Sequence, residues 1–199
     1  MAVPRRELID LLVARGVLRF GDFTLKSGAR SRYFFDLGRV DDGAGLALVG
    51  SALADLLLAE VGEPGFDLVF GPAYKGIPLA AATVDALWRD HGLLRPFGSD
   101  RTERKEHGEG GAFVGRAPER GMRVVVVDDV LSDGGTKAEA VHLLERGSGA
   151  EVVAVAIVFD RRDPHPEGGV QSERFAEATG KRVVSLLTRA DLEPYLEDS

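Results

Sequence analysis

The sequence predicts an α/β fold, a mainly parallel central sheet flanked by helices. Two observations carry this. Helical patterns alternate with short strand-like apolar runs along the chain, the alternation that lays crossover helices on both faces of a parallel sheet. The run Val124 to Val127 is four β-branched apolar residues with no polar break, and such a run reads as a strand buried on both faces. At 199 residues the chain reads as a single domain, 1–199, long enough to bury a sizeable core.

The elements follow in order. The opening MAVPRRELIDLLVARG interrupts its apolar residues with Glu7 and Asp10, which predicts an amphipathic helix ending at Gly16 rather than a secretory signal. Phe34 and Phe35 fall among turn residues, at neither helical nor simple strand spacing. Leu46 to Leu58 predicts a helix and Phe66 to Phe70 a strand. Ile77 to Trp88 predicts a helix and Leu93 to Phe97 a short strand. After the strand at Val124, Lys137 to Arg146 predicts a helix stopped by Gly147. Val152 to Phe159 predicts a strand, Arg174 to Thr179 a helix, and Val183 to Leu187 the last strand. Gly98 to Arg120 breaks the pattern: it is charged and glycine-rich, with no apolar period. A loop that long in a compact domain is usually functional or disordered.

Composition narrows the function classes. The formal charge of −7 with 29% charged residues gives a nucleic-acid role no general support. A phosphate-binding protein this acidic must concentrate its cations locally. The absence of cysteine excludes disulfides, thiolate chemistry and cysteine-based zinc sites. His91, His142 and His165 have no neighbours that suggest a metal site. No apolar run approaches membrane-spanning length, so a soluble cytoplasmic protein with neither a nucleic-acid nor a membrane partner is expected.

The chemistry concentrates after predicted strands, where ligands of open α/β sheets sit. The strand at Val124 runs into Asp128 and Asp129, then Val130 and Leu131, then a loop of Ser132, Asp133, Gly134, Gly135 and Thr136. The glycines allow positive φ, and the next helix contributes unpaired N–H groups and its positive dipole end. That is an anion cradle. The two acids suit sugar hydroxyls better than phosphate, so the combination points to a phosphorylated ribose. There is no GxxxxGK[ST] and no GxGxxG. Asp133 is an anion inside this loop, so its side chain must turn away or bond to local backbone.

Four further stretches have a functional and a bland reading side by side. In FGPAYKGIP (Phe70 to Pro78), Tyr74 and Lys75 tip a glycine-rich turn that could surround a diphosphate, or Lys75 is an ordinary exposed lysine. In FGDFTLKSGARSRYFFDLG (Phe20 to Gly38), Lys26 could supply charge, and Phe34 and Phe35 a wall for a flat heterocycle, or a phenylalanine belongs to the core. In SDRTERKEHGEGG (Ser99 to Gly111), Arg101, Arg104, Lys105 and His107 precede glycine hinges. They form either a lid that closes on a leaving diphosphate or a solvated loop. In VFDRRD (Phe159 to Asp163 with its preceding valine), Arg161 could grip a carboxylate bidentately, and Arg162 faces solvent.

Together, FTLKSGARSRYFFD, FGPAYKGIPLA, RTERKEHGEGG, VVVVDDVLSDGGTK and FDR resemble the orotate phosphoribosyltransferase family of type I phosphoribosyltransferases, in order and approximate spacing over almost the whole chain. The resemblance implies conversion of orotate and phosphoribosyl diphosphate (PRPP) to orotidine 5′-monophosphate and diphosphate, in de novo pyrimidine synthesis. It implies Mg²⁺ held mainly through PRPP and water, with no direct protein ligand. It also implies a small N-terminal hood, residues 1–40, over the base site, and a homodimer in which each lid acts on the partner's site. Lys26, Lys105 and Asp129 would be catalytic. PRPP would be held by Lys26, Tyr74, Lys75, Arg101, Lys105, His107, Asp128, Asp129, Val130, Leu131 and the loop Ser132, Asp133, Gly134, Gly135, Thr136. Orotate would meet Phe34, Phe35, Ser132 and Arg161. Three positions depart from the family pattern: Thr102 where the lid has lysine, Arg32 where proline often stands, and Asp133. A transferase for another base or a PRPP-sensing regulator are the alternatives. Arg161 with Lys26 weighs against the first, and the −7 charge against the second.

Overall fold

The structure is a computed structural model. It describes residues 3–24, 28, 30–63, 65–105, 111–131 and 135–197, of which 102–105, 111, 136 and 197 through the backbone alone.

The chain opens with α1 (Arg5–Ala14), which buries Leu8, Ile9 and Leu12. It turns at Gly16 and forms β1 (Leu18–Thr24) and β2 (Arg30–Phe35), an antiparallel pair with Leu18 opposite Phe35. Phe34 and Phe35 therefore lie in a strand, not among turns. The pattern was hidden because charge (Arg30, Arg32) and aromatic bulk share this short strand. A two-stranded ribbon is marginal alone, and this one is anchored on Phe159 and on the C-terminal residues Tyr195 and Leu196. Tyr33 meets the edge of Phe159 at 5.6 Å and Phe35 lies 5.1 Å from the same ring. Phe20 stacks on Tyr195 at 5.9 Å, and Arg32 donates to the Leu196 carbonyl.

The main sheet holds six strands among the described residues: β3 (Leu68–Phe70), β4 (Phe97–Lys105), β5 (Gly111–Gly115), β6 (Arg123–Val130), β7 (Glu151–Asp160) and β8 (Arg182–Thr188), in the order β5-β4-β3-β6-β7-β8. All neighbours pair parallel except β4 and β5. One face carries α2 (Gly43–Glu60) and α3 (Gly76–His91). The other carries α4 (Gly135–His142) and α5 (Gln171–Thr179). The chain ends in α6 (Glu193–Glu197).

The valine run behaves as its composition demands. Side chains alternate across a strand, so Val125 and Val127 enter the core under α2 and α3, while Val124 and Val126 enter the core under α4. All four are fully buried. Helix α2 is 18 residues long with a mean hydropathy of 1.5, the length and composition of a minimal membrane span. The longest apolar element is thus longer than the sequence suggested. Its apolarity is spent inside the protein: Val49, Leu53 and Leu57 are buried, and it packs along α3, β7 and β8.

Three other expectations are corrected. The stretch Gly98 to Arg120 holds a hairpin, since β4 and β5 pair from Gly98–Gly115 to Lys105–Gly111. It lies at the sheet edge, where beyond Asp100 the two strands pair only with each other, so no apolar period is required of them. Residues 93–96 are not a strand; the ladder begins at Phe97, because Pro96 has no N–H to donate and instead accepts from the Val69 N–H. The helix after Lys137 runs past Gly147 as a π-helical turn, Leu143–Ser148, and stops at Gly149, which has φ +75°.

Candidate active site

The carboxyl ends of β3, β6 and β7 open on one side of the sheet, beneath the N-terminal ribbon. After β3 the chain makes a turn held together by two glycines. A Cβ built on Gly71 would lie 1.9 Å from the Gly76 carbonyl oxygen, so only glycine allows this closure. The turn is fixed from β4: the Gly71 N–H donates to the Gly98 carbonyl and the Ala73 N–H to Asp100 Oδ1 at 2.8 Å. Tyr74 and Lys75 project from its tip, Tyr74 strongly exposed.

Strand alternation then separates the acidic pair. Asp129 continues the Val125–Val127 face and meets the β3 turn, where Lys75 Nζ donates to its Oδ2 at 2.9 Å. Its Oδ1 accepts from the Val130 N–H at 2.7 Å. Lys75 also stands 3.6 Å from Asp36, at the exit of β2. Burial pulls on the Lys75 ammonium, but the bond to Asp129 and the charges of both carboxylates outweigh it, and its pKa lies above the ordinary lysine value. Asp128 continues the opposite face, towards α4. There Lys137 Nζ lies 2.7 Å from Asp128 Oδ2, with both side chains almost wholly buried. Oδ1 accepts from the Asp129 N–H at 2.8 Å. Burial raises the Asp128 carboxyl above the usual range, against the pull of Lys137.

Beyond β7, Arg161 lines a cavity of about 550 Å³ together with Arg30, Tyr33, Asp163, Arg189 and Glu193. Its Nε lies 3.1 Å from Asp163 Oδ2, close enough for an ion pair but poorly aligned for a hydrogen bond, and the atom is buried. Burial raises the Tyr33 hydroxyl above its ordinary pKa, although Arg161 and Arg189 pull it down. Asp160 does not face this cavity; it accepts from Ser172 Oγ at 2.7 Å and from the Arg162 N–H.

The structure thus brings Lys75 and Asp129 into direct contact, with Asp128 one residue away but bonded to Lys137. Phe35 sits against Phe159, whereas Phe34 lies on the other face of the ribbon, 5.6 Å from Phe23 and under the Arg19 guanidinium. Arg101 donates back to the Phe113 carbonyl within the β4–β5 hairpin. Leu131 is buried, and Gly135 starts α4. Lys26, His107, Ser132, Asp133 and Gly134 lie outside the described residues, and Lys105 and Thr136 are described through their backbone only. Lys137, Asp36 and Asp100 were missed in the sequence. Asp36 has a signal, following the paired phenylalanines, but nothing in sequence spacing links Asp128 to Lys137.

A phosphoribosyl transferase domain model matches residues 40–169. A curated relative from Halorhodospira halophila, named orotate phosphoribosyltransferase, is 43% identical over 98% of this chain and 88% of the relative. The chain belongs to the orotate phosphoribosyltransferase family. The family's enzyme from Escherichia coli is 40% identical over 98% of this chain and 89% of its own. Among solved family members, the Francisella tularensis enzyme superposes with a TM-score of 0.83 at 30% identity, covering 96% of this chain and 90% of that one. The Mycobacterium tuberculosis enzyme in complex with PRPP superposes with a TM-score of 0.69 at 29% identity, covering 94% and 98%.

Proposed function

We propose that the chain transfers the 5-phosphoribosyl group of PRPP to orotate in the cytoplasm, giving orotidine 5′-monophosphate and diphosphate for pyrimidine synthesis. The observation that carries this is the contact of Lys75 with Asp129, which joins the turn after β3 to the end of β6, with Arg161 lining a cavity under the N-terminal ribbon after β7. Membership of the orotate phosphoribosyltransferase family supports it over nearly the full length.

In this reading the ribose hydroxyls donate to Asp129, with Lys75 and Tyr74 beside the diphosphate. The 5′-phosphate lies at the loop from Val130 through Ser132, Asp133 and Gly134 to Gly135 and Thr136. Arg161 takes the orotate carboxylate. Phe35 supports the base from the ribbon, residues 1–40 serve as a hood over it, and Lys26 adds charge near the diphosphate. The new N-glycosidic bond forms as the bond to diphosphate breaks, and positive charge develops on the ribosyl carbon. No nucleophilic side chain is required. The protein orients two anions and neutralises the charge that departs.

Mg²⁺ supplies further neutralisation of that charge when bound. In this reading the metal is held mainly through the phosphates of PRPP and water, beside Asp129, whose Oδ2 accepts from Lys75 and Oδ1 from the Val130 N–H. Arg101 and Lys105 belong to β4 of the β4–β5 hairpin, and in this reading a homodimer places the far end of that hairpin, with His107, over its partner's crevice.

The test is to follow orotate loss by ultraviolet absorbance with PRPP and Mg²⁺ each present or omitted. Loss that needs both supports the reading; no loss with both present overturns it.

A further inference from the structure

Lys137 is a lysine in an unfavourable place. It lies in the first turn of α4, where the helix dipole disfavours a cation, and it is only 8% exposed. A buried ammonium needs a partner. The compensating contact is Asp128 Oδ2 at 2.7 Å. The charged groups bearing on that carboxylate are Lys137 from α4 and Asp129 next along β6. Asp129 is itself paired with Lys75 from the β3 turn. Strand β7 presents the apolar Ile157 opposite Asp128. Helix α5, packed on α4, turns Arg174 to Glu177.

We propose that Lys137 is a positioning residue for the ribose and phosphate site. It neutralises Asp128, and it pins the first turn of α4 against the end of β6. This rests on the functional reading above. The two adjacent acids then have different tasks. Asp129 faces the ligand, whereas Asp128 is the counter-ion of the buried lysine in the first turn of α4. Without Lys137, Asp128 would be an uncompensated carboxylate beside Asp129 and would repel the phosphates to be bound. The ion pair removes that charge without removing the side chain that holds the strand end to the helix.

The experiment compares the full chain with Lys137→Met, which keeps the length of the side chain, and with Asp128→Asn/Lys137→Met, which removes both charges. PRPP affinity is measured by calorimetry at mildly alkaline and mildly acidic pH, beside thermal unfolding. Lys137→Met should bind PRPP about tenfold or more weakly at alkaline pH, the equivalent of one ordinary charged contact. Most of the loss should return at acidic pH, where Asp128 takes up a proton. The double variant should bind more tightly than Lys137→Met at alkaline pH. A merely structural lysine would give a loss independent of pH and unrelieved by the second substitution. Lys137→Met binding within about twofold of the parent at both pH values, or a double variant no tighter than the single one, would overturn the proposal. If Lys137→Met does not fold, the double variant decides alone: affinity within about tenfold of the parent supports the counter-ion role, and a loss as large as that of Asp129→Asn overturns it. A parent that binds PRPP but leaves orotate untouched would sink the functional reading and not this one.

Discussion

The Lys75 ammonium bridges two carboxylates, donating to Asp129 at 2.9 Å and standing 3.6 Å from Asp36. One cation thereby ties together the turn after β3, the end of β6 and the exit of the N-terminal ribbon, three segments that are distant in sequence.

Replacing Asp129 tests the ligand side of that junction. Asp129→Asn keeps an acceptor for the Val130 N–H and should leave the fold intact. It should weaken PRPP binding and turnover by at least about tenfold, the effect of losing one charged contact. The check is the KM for PRPP and kcat, with circular dichroism to verify the fold. Activity within about twofold of the parent would remove Asp129 from the ribose site.

Arg161→Ala should raise the KM for orotate far more than that for PRPP. Loss of a buried charge-assisted contact costs on the order of 2–5 kcal/mol. Discrimination against uracil, which has no carboxylate, should weaken in parallel. Steady-state kinetics with each substrate varied in turn decides this, and equal effects on both would place Arg161 outside the base pocket.

If the hairpin tip acts across a dimer, two defective subunits should complement. Lys105→Ala damages only the tip and Asp129→Asn only the core site. A mixed dimer then has one site with both intact parts and one with both defects. Each pure variant should be slow, by about 10²–10³ for a lost preorganised charge, and mixing under subunit exchange should restore activity. No recovery despite confirmed exchange would confine each tip to its own subunit.

Acid stability should depend on Asp67, which joins the start of β3 to the start of β6. Its carboxylate accepts from the Arg123 backbone N–H at 2.9 Å and from the guanidinium at 2.7 Å. The Arg123 side chain first, then its backbone N–H, hold the Asp67 pKa at about 2. A carboxyl depressed by folding stabilises the protein above its unfolded pKa and loses that contribution as pH falls through its folded value. Because the Asp67 side chain is 40% exposed, solvent screening limits the effect to at most about 1 kcal/mol. Asp67→Asn should therefore be less stable than the parent at neutral pH in urea unfolding, with the gap closing as pH falls towards about 2. A gap unchanged by pH would mean that the pair contributes by packing alone.

The parallel core was legible because its signal is local. The valines of β6 are buried on both faces, and the run showed it without any partner strand in view. The β4–β5 hairpin was not legible, since an edge ribbon needs no apolar alternation, and β2 was obscured by its arginines. At the site, the residues that follow strands announced themselves as motifs: Lys75 and Asp129 were found and do touch. The division of labour between Asp128 and Asp129 could not be read, although it follows from strand alternation once the faces are known. Lys137 was invisible as a site residue, because its partner is set by how α4 packs on β6 rather than by spacing.

The closure of Gly71 on Gly76 sets a bound on how this chain can diversify. With a Cβ 1.9 Å from a carbonyl oxygen, no rotamer adjustment relieves the clash, and only displacement of the main chain would. In a saturation library across this turn, the two glycines admit no side chain. Substrate preference in descendants of this protein would have to change from the ribbon and the β7 end, where side chains can be exchanged, while the β3 turn is inherited unaltered.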